Sequence, residues 1–175
     1  MQYLLIIGPT VVILILIWII VGRRHLRYLR SVIKAEWELV NERLKKRQSL
    51  VPNLVETVRQ YDQNQDQMLE KMIEIRLKAA KEYIPGAKKI EYEYELSQSI
   101  NRVIDLGRTV TVLSQDTNFL ELRKEINDLE KEIEERASTH NKMLRAYNMA
   151  RESWYLKPIA KMFHLGFYDI FEVEM

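Results

Sequence analysis

Few residues in this 175-residue chain have the type and spacing for chemistry. His25, His140 and His164 each lack a second ligand three or four residues away, so no helical metal site is expected. Asp62-Gln63-Asn64-Gln65-Asp66 imitates the opening of a calcium loop. It fails at the sixth position, Gln67 in place of a turning glycine, and at the twelfth, Ile73 in place of a chelating glutamate. Glu91, Glu93 and Glu95 alternate with Tyr92 and Tyr94 where a helix is expected to begin. Acids favour that positive end, so a solvated first turn explains them better than paired catalytic carboxylates. There is no cysteine for a nucleophile, thiolate site or disulfide, no glycine-rich phosphate loop and no serine in a nucleophile elbow. The expectation is a protein that is not an enzyme and uses no metal or cofactor. A ligand site between helices is the alternative, and its candidates are the polar residues on otherwise apolar stripes: Arg47, Gln65, Arg136 and His140. Two opposed arginines without carboxylates would be costly to bury, so both are expected to snorkel or fix helix register, and His140 to be a hydrogen-bonded core residue.

The elements that would carry these residues begin with a charge-free run. Residues 1–22, MQYLLIIGPTVVILILIWIIVG, would span about 30 Å as a helix, the thickness of a bilayer's hydrocarbon core. A cleaved signal peptide would have its basic residues before the apolar run and a small-x-small exit; here Arg23, Arg24, Arg27 and Arg30 follow it. The reading is a single-pass anchor in the cell (inner) membrane, N-terminus outside, with the C-terminal domain cytoplasmic. The arginines read as an orientation signal and a contact for anionic lipid. With a net charge of +2 and no basic stripe beyond them, nucleic acid is not an expected partner.

Beyond the anchor the chain reads as all-α. Apolar residues spaced by three and four run from Trp37, Val40 and Leu44 through Val51, Leu54 and Val58 to Met72, Ile75 and Ala79, ending at Pro85-Gly86. A second stripe comprises Leu96, Ile100, Val103, Gly107 and Val110, with Ile104 and Leu113 beside it. After the loop Ser114-Gln115-Asp116-Thr117, a third runs from Phe119 to Trp154, with Asn118 as its N-cap and Glu121 as reciprocal partner. Such stripes are buried most economically in an elongated antiparallel bundle over residues 23–154, followed by an aromatic-rich tail, 155–175.

Pro52-Asn53 decides the helix number. A reversal there gives a four-helix up-and-down bundle with the tail back at the membrane; a kink gives three long helices and sends the tail toward Pro85-Gly86. Apolar neighbours and an unbroken stripe favour the kink. The seam of Trp37, Val40 and Leu44 would then lack a partner in its own chain, which predicts a homo-oligomer. For the tail, the rings are expected to close one end of the bundle. The functional alternative is docking on lipid or on other membrane proteins through Trp154, Phe163, Phe167 and Phe171.

Several of these runs resemble the LemA family of bacterial and archaeal membrane proteins. Leu50 to Val58, LVPNLVETV, is similar to its aliphatic-Pro-Asn-Leu-Val-Glu-Thr-Val signature. Asn118-Phe119, the set Asn141, Arg145, Tyr147 and Asn148, and the tail run IAKMF with Phe171-Glu172 match further family elements. His140 departs from a tyrosine, Val110-Thr111 from a Tyr-Pro and His164 from a glycine. The resemblance, which extends to MamQ-like relatives, implies one membrane helix and a cytoplasmic helical domain. It carries no established catalytic residue and is associated with envelope processes, so a membrane-anchored scaffold or adaptor is the expected function, with a regulatory or sensor subunit as alternative.

Overall fold

The computed structural model describes residues 2–61, 66–81 and 86–168, with residues 2–6 and 86–87 described by backbone alone. Five α-helices appear among the described residues and no strand: α1 Gln2–Arg59, α2 Asp66–Ala79, α3 Gly86–Thr109, α4 Thr117–Glu152 and α5 Lys157–Met162. The chain divides into two compact units. One, called the anchor unit after the role expected of its apolar run, takes the residues up to Trp37 and those from Thr139, and the head unit takes Glu38–Ser138.

In the head unit the three stripes converge on one core. Val51, Leu54 and Val58 of α1 meet Leu69, Met72 and Ile75 of α2, Leu96, Ile100 and Val103 of α3, and Phe119 and Ile126 of α4. Gly107 on the α3 stripe has a specific reason to be glycine. A Cβ there would lie 2.1 Å from the Phe119 ring, so the ring packs on bare α3 backbone.

Pro52 does not end α1, which stays helical to Arg59. Proline has no N–H to give the carbonyl four residues back, that of Gln48, and Gln48 is buried. Arg76 of α2 supplies the missing donor, its Nε lying 2.7 Å from the Gln48 oxygen. Continuation through Pro52 therefore agrees with the kink reading, but three long helices do not. The stripe read from Trp37 to Ala79 is two helices, and Arg59 Nε, 2.9 Å from Asp66 Oδ1, bridges the reversal between them. In the sequence, the run Asp62 to Asp66 holds residue types that favour helix interiors less than those around it, while the apolar spacing resumes at Met68 and hides the break. Residues 62–65, including Gln65, lie outside the described residues, as does Pro85.

The start of α4 also differs from expectation. Asp116, not Asn118, caps the helix, its Oδ1 accepting the Phe119 amide at 2.7 Å while Oδ2 accepts the Tyr61 hydroxyl at 2.7 Å. The Phe119 amide and the Tyr61 hydroxyl hold the Asp116 carboxyl below its ordinary pKa. Asn118 instead donates to the Thr57 hydroxyl at 2.8 Å, tying the signature run of α1 to α4.

The seam expected to need a second copy is a further correction. Val40 and Leu44 are fully buried within the single chain. Ion pairs from Arg43 to Glu132 (2.9 Å) and Lys46 to Glu125 (3.3 Å) tie this stretch of α1 to α4. In the anchor unit Trp37 packs on His140, ring centroids 5.5 Å apart. His140 is the core residue expected. Burial lowers its pKa against the opposing effects of a backbone hydrogen bond at Ile33 and the Glu36 charge. Arg136 is exposed; Ala137 takes the buried position beside it.

The tail corrects the last topological expectation. Three reversals between the four long helices, one more than the kink reading allows, bring it back beside α1, where Leu156, Ile159, Ala160 and Leu165 share a core with Leu26, Ile33, Leu144 and Tyr147. α5 ends in a Schellman motif. The Leu165 amide reaches the Ala160 carbonyl (2.9 Å), the His164 amide reaches Lys161 (3.2 Å), and His164 takes the left-handed φ of 51°. Glycine would relieve about 1–2 kcal/mol of left-handed strain and lose about 0.5–1 kcal/mol to its greater unfolded freedom. His164→Gly is therefore expected to slow exchange of the Leu165 amide and raise stability by roughly 0.5 kcal/mol, read by hydrogen exchange and thermal unfolding.

Candidate functional site

Two places gather polar groups, one in each unit. In the head unit, Arg47 projects from the apolar face of α1 and is buried. Its guanidinium donates to Glu130 Oε1 (2.7 Å), Glu93 Oε2 (2.6 Å), the Glu93 carbonyl (3.1 Å) and the Ser97 hydroxyl. Gln48 Nε2 donates to the other Glu93 oxygen at 2.5 Å, and Lys89 Nζ lies 3.0 Å from that same oxygen. Lys89 also donates to the Ala79 carbonyl, closing the C-terminus of α2. Two cations thus face two carboxylates, and the cluster is neutral. Chemically it is a clamp joining α1, α3 and α4, with charge-assisted bonds that fix their register.

Glu93 corrects the expectation of a solvated first turn. α3 begins at Gly86, so Glu93 stands two turns in and faces inward. A signal for it was present: the α3 stripe, carried back three residues from Leu96, lands on Glu93, just as the α1 stripe lands on Arg47. Glu130, adjacent to the buried Leu129, had no comparable signal. Beside the clamp, an open groove of about 260 Å³ is lined by Tyr94, Ser97, Asn101, Asn127, Glu130 and Glu134, among others. Glu130 Oε2 is buried without a hydrogen-bond partner among the described residues.

In the anchor unit the sequence-derived residues come together differently. Arg23, Arg24, Arg27 and Arg30 are all exposed on α1, directly after its apolar run. The Arg23 guanidinium lies 4.2 Å over the Phe163 ring, and Arg30 Nε donates to the Tyr168 hydroxyl at 3.0 Å. Tyr147, Asn148 and Arg151 of α4 strap the end of the tail: the Tyr147 hydroxyl to the Gly166 carbonyl (3.1 Å), the Asn148 amide to the Tyr168 carbonyl (2.9 Å), and Arg151 Nε to the Leu165 carbonyl (2.7 Å). The aromatic rings were expected to close the end of the bundle. Phe163 and Tyr168 do pack against the anchor-unit core beside the aliphatic tail residues, while Trp154 is 87% exposed and Phe167 59%. Phe163 is half-buried, and Phe171 lies outside the described residues.

The asparagine and tyrosine at the tail strap and the Pro52 signature are the elements that the resemblance rested on, and the comparison with family models decides it. The model described as LemA family matches residues 36–175. The chain belongs to the LemA family. Among curated proteins none matches it. The matched span covers the head unit and the α4–α5 part of the anchor unit, and starts after the apolar run of this LemA chain. That run lies in α1, whose N-terminal part is long and apolar enough to cross a membrane; Ile7, Leu14 and Ile20 on it are exposed. Pro52 and Asn53, the exposed pair in the LemA signature, touch no site; Pro52 acts through the carbonyl it leaves for Arg76. Trp37, Val40 and Leu44 form no open surface. Among the described residues no group of three or more His, Cys, Asp or Glu could hold a metal ion.

Proposed function

We propose that this LemA-family chain is a single-pass membrane scaffold or adaptor without catalytic activity, its N-terminus outside and its helical head at the cytoplasmic face. The observation that carries the reading is the closed charge balance of the Arg47 clamp. The buried Arg47 and Glu93 pair with each other, with Glu130 and with Lys89, so these charges serve to hold helices together. The arginines directly after the apolar run support the orientation. Membership of a family not known as enzymes is in keeping with it. Because the Trp37–Leu44 seam is covered by the chain itself, partners other than a second copy meeting there are the ones to seek: membrane proteins and lipid. A sensor with a ligand in the α3–α4 groove is the second reading, favoured by the unpartnered Glu130 oxygen.

The chain has no cysteine of its own, which makes the test clean. Full-length variants carrying one cysteine, at Gln2, Gln98 or Trp154, are labelled in intact cells with a membrane-impermeant maleimide, then crosslinked in native membranes. Labelling of Gln2→Cys alone, with discrete protein adducts from Gln98→Cys or Trp154→Cys, is the expected result. Labelling of Gln98→Cys in intact cells would reverse the orientation. Small-molecule protection of Gln98→Cys without protein adducts would replace the scaffold by the sensor.

A further inference from the structure

The foot of the apolar helix carries groups that neither a water-facing surface nor the helix core explains. α5 packs on α1 at Gly22, the last residue of the charge-free run; a Cβ there would lie 2.3 Å from Ile159 and 3.0 Å from Leu156. The tail therefore sits at the depth where α1 leaves the hydrocarbon and meets headgroups. α4 confirms that level. Trp37 meets His140, and Arg30 holds the hydroxyl of Tyr168, whose ring packs on Tyr147, so the two helices run antiparallel here. Trp154 follows the end of α4 at Glu152 and stands two residues before Leu156, which packs at Gly22. Trp154, Phe167, Met162 and Tyr155 are exposed there. Tryptophan and tyrosine at this depth are in their preferred environment, whereas a tryptophan so open to water forgoes most of its burial energy.

The charge at this level is predominantly positive, with Glu152 at the end of α4 pairing with Lys157 at 2.7 Å. Segments 20–31 and 153–168 carry Arg23, Arg24, Arg27, Arg30, Lys157 and Lys161 and no acidic residue. Just below Ile20 an open recess of about 530 Å³ is lined by Arg23, Arg24, Arg27, Tyr28 and Ser31. Arg23 and Arg30 are turned onto tail rings, while Arg24 and Arg27 stay exposed. The recess is lined by α1 residues, where guanidinium groups beside the Tyr28 and Ser31 hydroxyls suit a phosphodiester, and the exposed tail rings suit the acyl–headgroup boundary.

We propose that the α5 tail and the arginines after Gly22 form an interfacial collar that binds the phosphodiester headgroup of anionic phospholipid at the recess, with Trp154 and Phe167 inserted at the boundary. The proposal rests on α1 being the membrane anchor, and the test separates the two. Full-length variants keeping one tryptophan, Trp18 or Trp154, are placed in nanodiscs made with either acyl-brominated phosphatidylglycerol or acyl-brominated phosphatidylcholine, and emission is measured. Trp18 is expected to be quenched in both. Trp154 is expected to be quenched at least about twofold more by the anionic lipid, a margin below the roughly fivefold preference each arginine near such a surface can supply. Arg24→Gln with Arg27→Gln, both exposed positions, should erase that difference while leaving Trp18 unchanged. Quenching of Trp18 without Trp154 overturns the collar but spares the anchor. Equal quenching of Trp154 by both lipids overturns the anionic headgroup site. Loss of quenching at Trp18 overturns both readings.

Discussion

Replacing Arg47 with leucine is expected to destabilise the protein by about 3–5 kcal/mol, because it leaves the Glu93 and Glu130 carboxylates buried without their shared cation. Against a typical stability of about 5–15 kcal/mol, that is a large fraction. Lys89 and Gln48 would still hold one Glu93 oxygen, but Glu130 would keep only the Ser97 hydroxyl, 3.0 Å away. The measurement is urea unfolding of the full chain in detergent, followed by helical circular dichroism. A second variant separates pairing from packing: Arg47→Met and Lys89→Met with Glu93→Leu and Glu130→Leu remove both cations and both carboxylates together. It should recover most of the loss, since apolar groups of similar volume replace a buried ion cluster at little cost. A single-variant cost below about 1 kcal/mol would mean that water reaches the clamp and screens it.

The second large effect couples Pro52 to Arg76. Arg76→Met is expected to cost about 1–3 kcal/mol, the penalty for leaving the Gln48 carbonyl without a donor in a buried helix interior. Pro52→Ala restores the backbone N–H at that carbonyl and removes a residue that disfavours helix interiors by about 3 kcal/mol relative to alanine. In the Pro52→Ala background, Arg76→Met should therefore cost little, with a coupling of about 1–2 kcal/mol in the double-mutant cycle. Equal costs in both backgrounds would show that Arg76 acts through something other than the acceptor Pro52 leaves. The same cycle accounts for a proline in the signature run: its defect in α1 becomes the site that docks α2.

The distinction between local and distant information explains which expectations held. The charge-free run, the arginines after it and the helical stripes are patterns within one segment, and the described helices carry them, though the first stripe is divided between α1 and α2 and α3 begins ahead of the acidic run. The third stripe, read from Phe119 to Trp154, is α4, Thr117–Glu152. His140 is buried as its stripe position requires. Even the departure of His164 from the family's glycine has a local consequence, a left-handed residue at the end of α5.

Other features depended on which segment each face meets. The stripe across residues 59–66 stays in phase whether the chain turns or not, so periodicity alone could not show the reversal. Arg47 on an apolar stripe was expected to snorkel or fix register, and it is buried. Its partners come from α3 and α4, 46 and 83 residues away, so only the packing of those helices identifies Glu93 and Glu130. The covered Trp37–Leu44 seam and the returned tail follow from the same added reversal. The sequence by itself determined the long apolar N-terminal run, the all-helical character and the position of each apolar face, because a 3.6-residue period is a property of neighbours along the chain. Tertiary structure decided the partner of every face, and with it the clamp at Arg47 and the meeting of tail and arginines at Gly22, because contacts between distant segments leave no period to read.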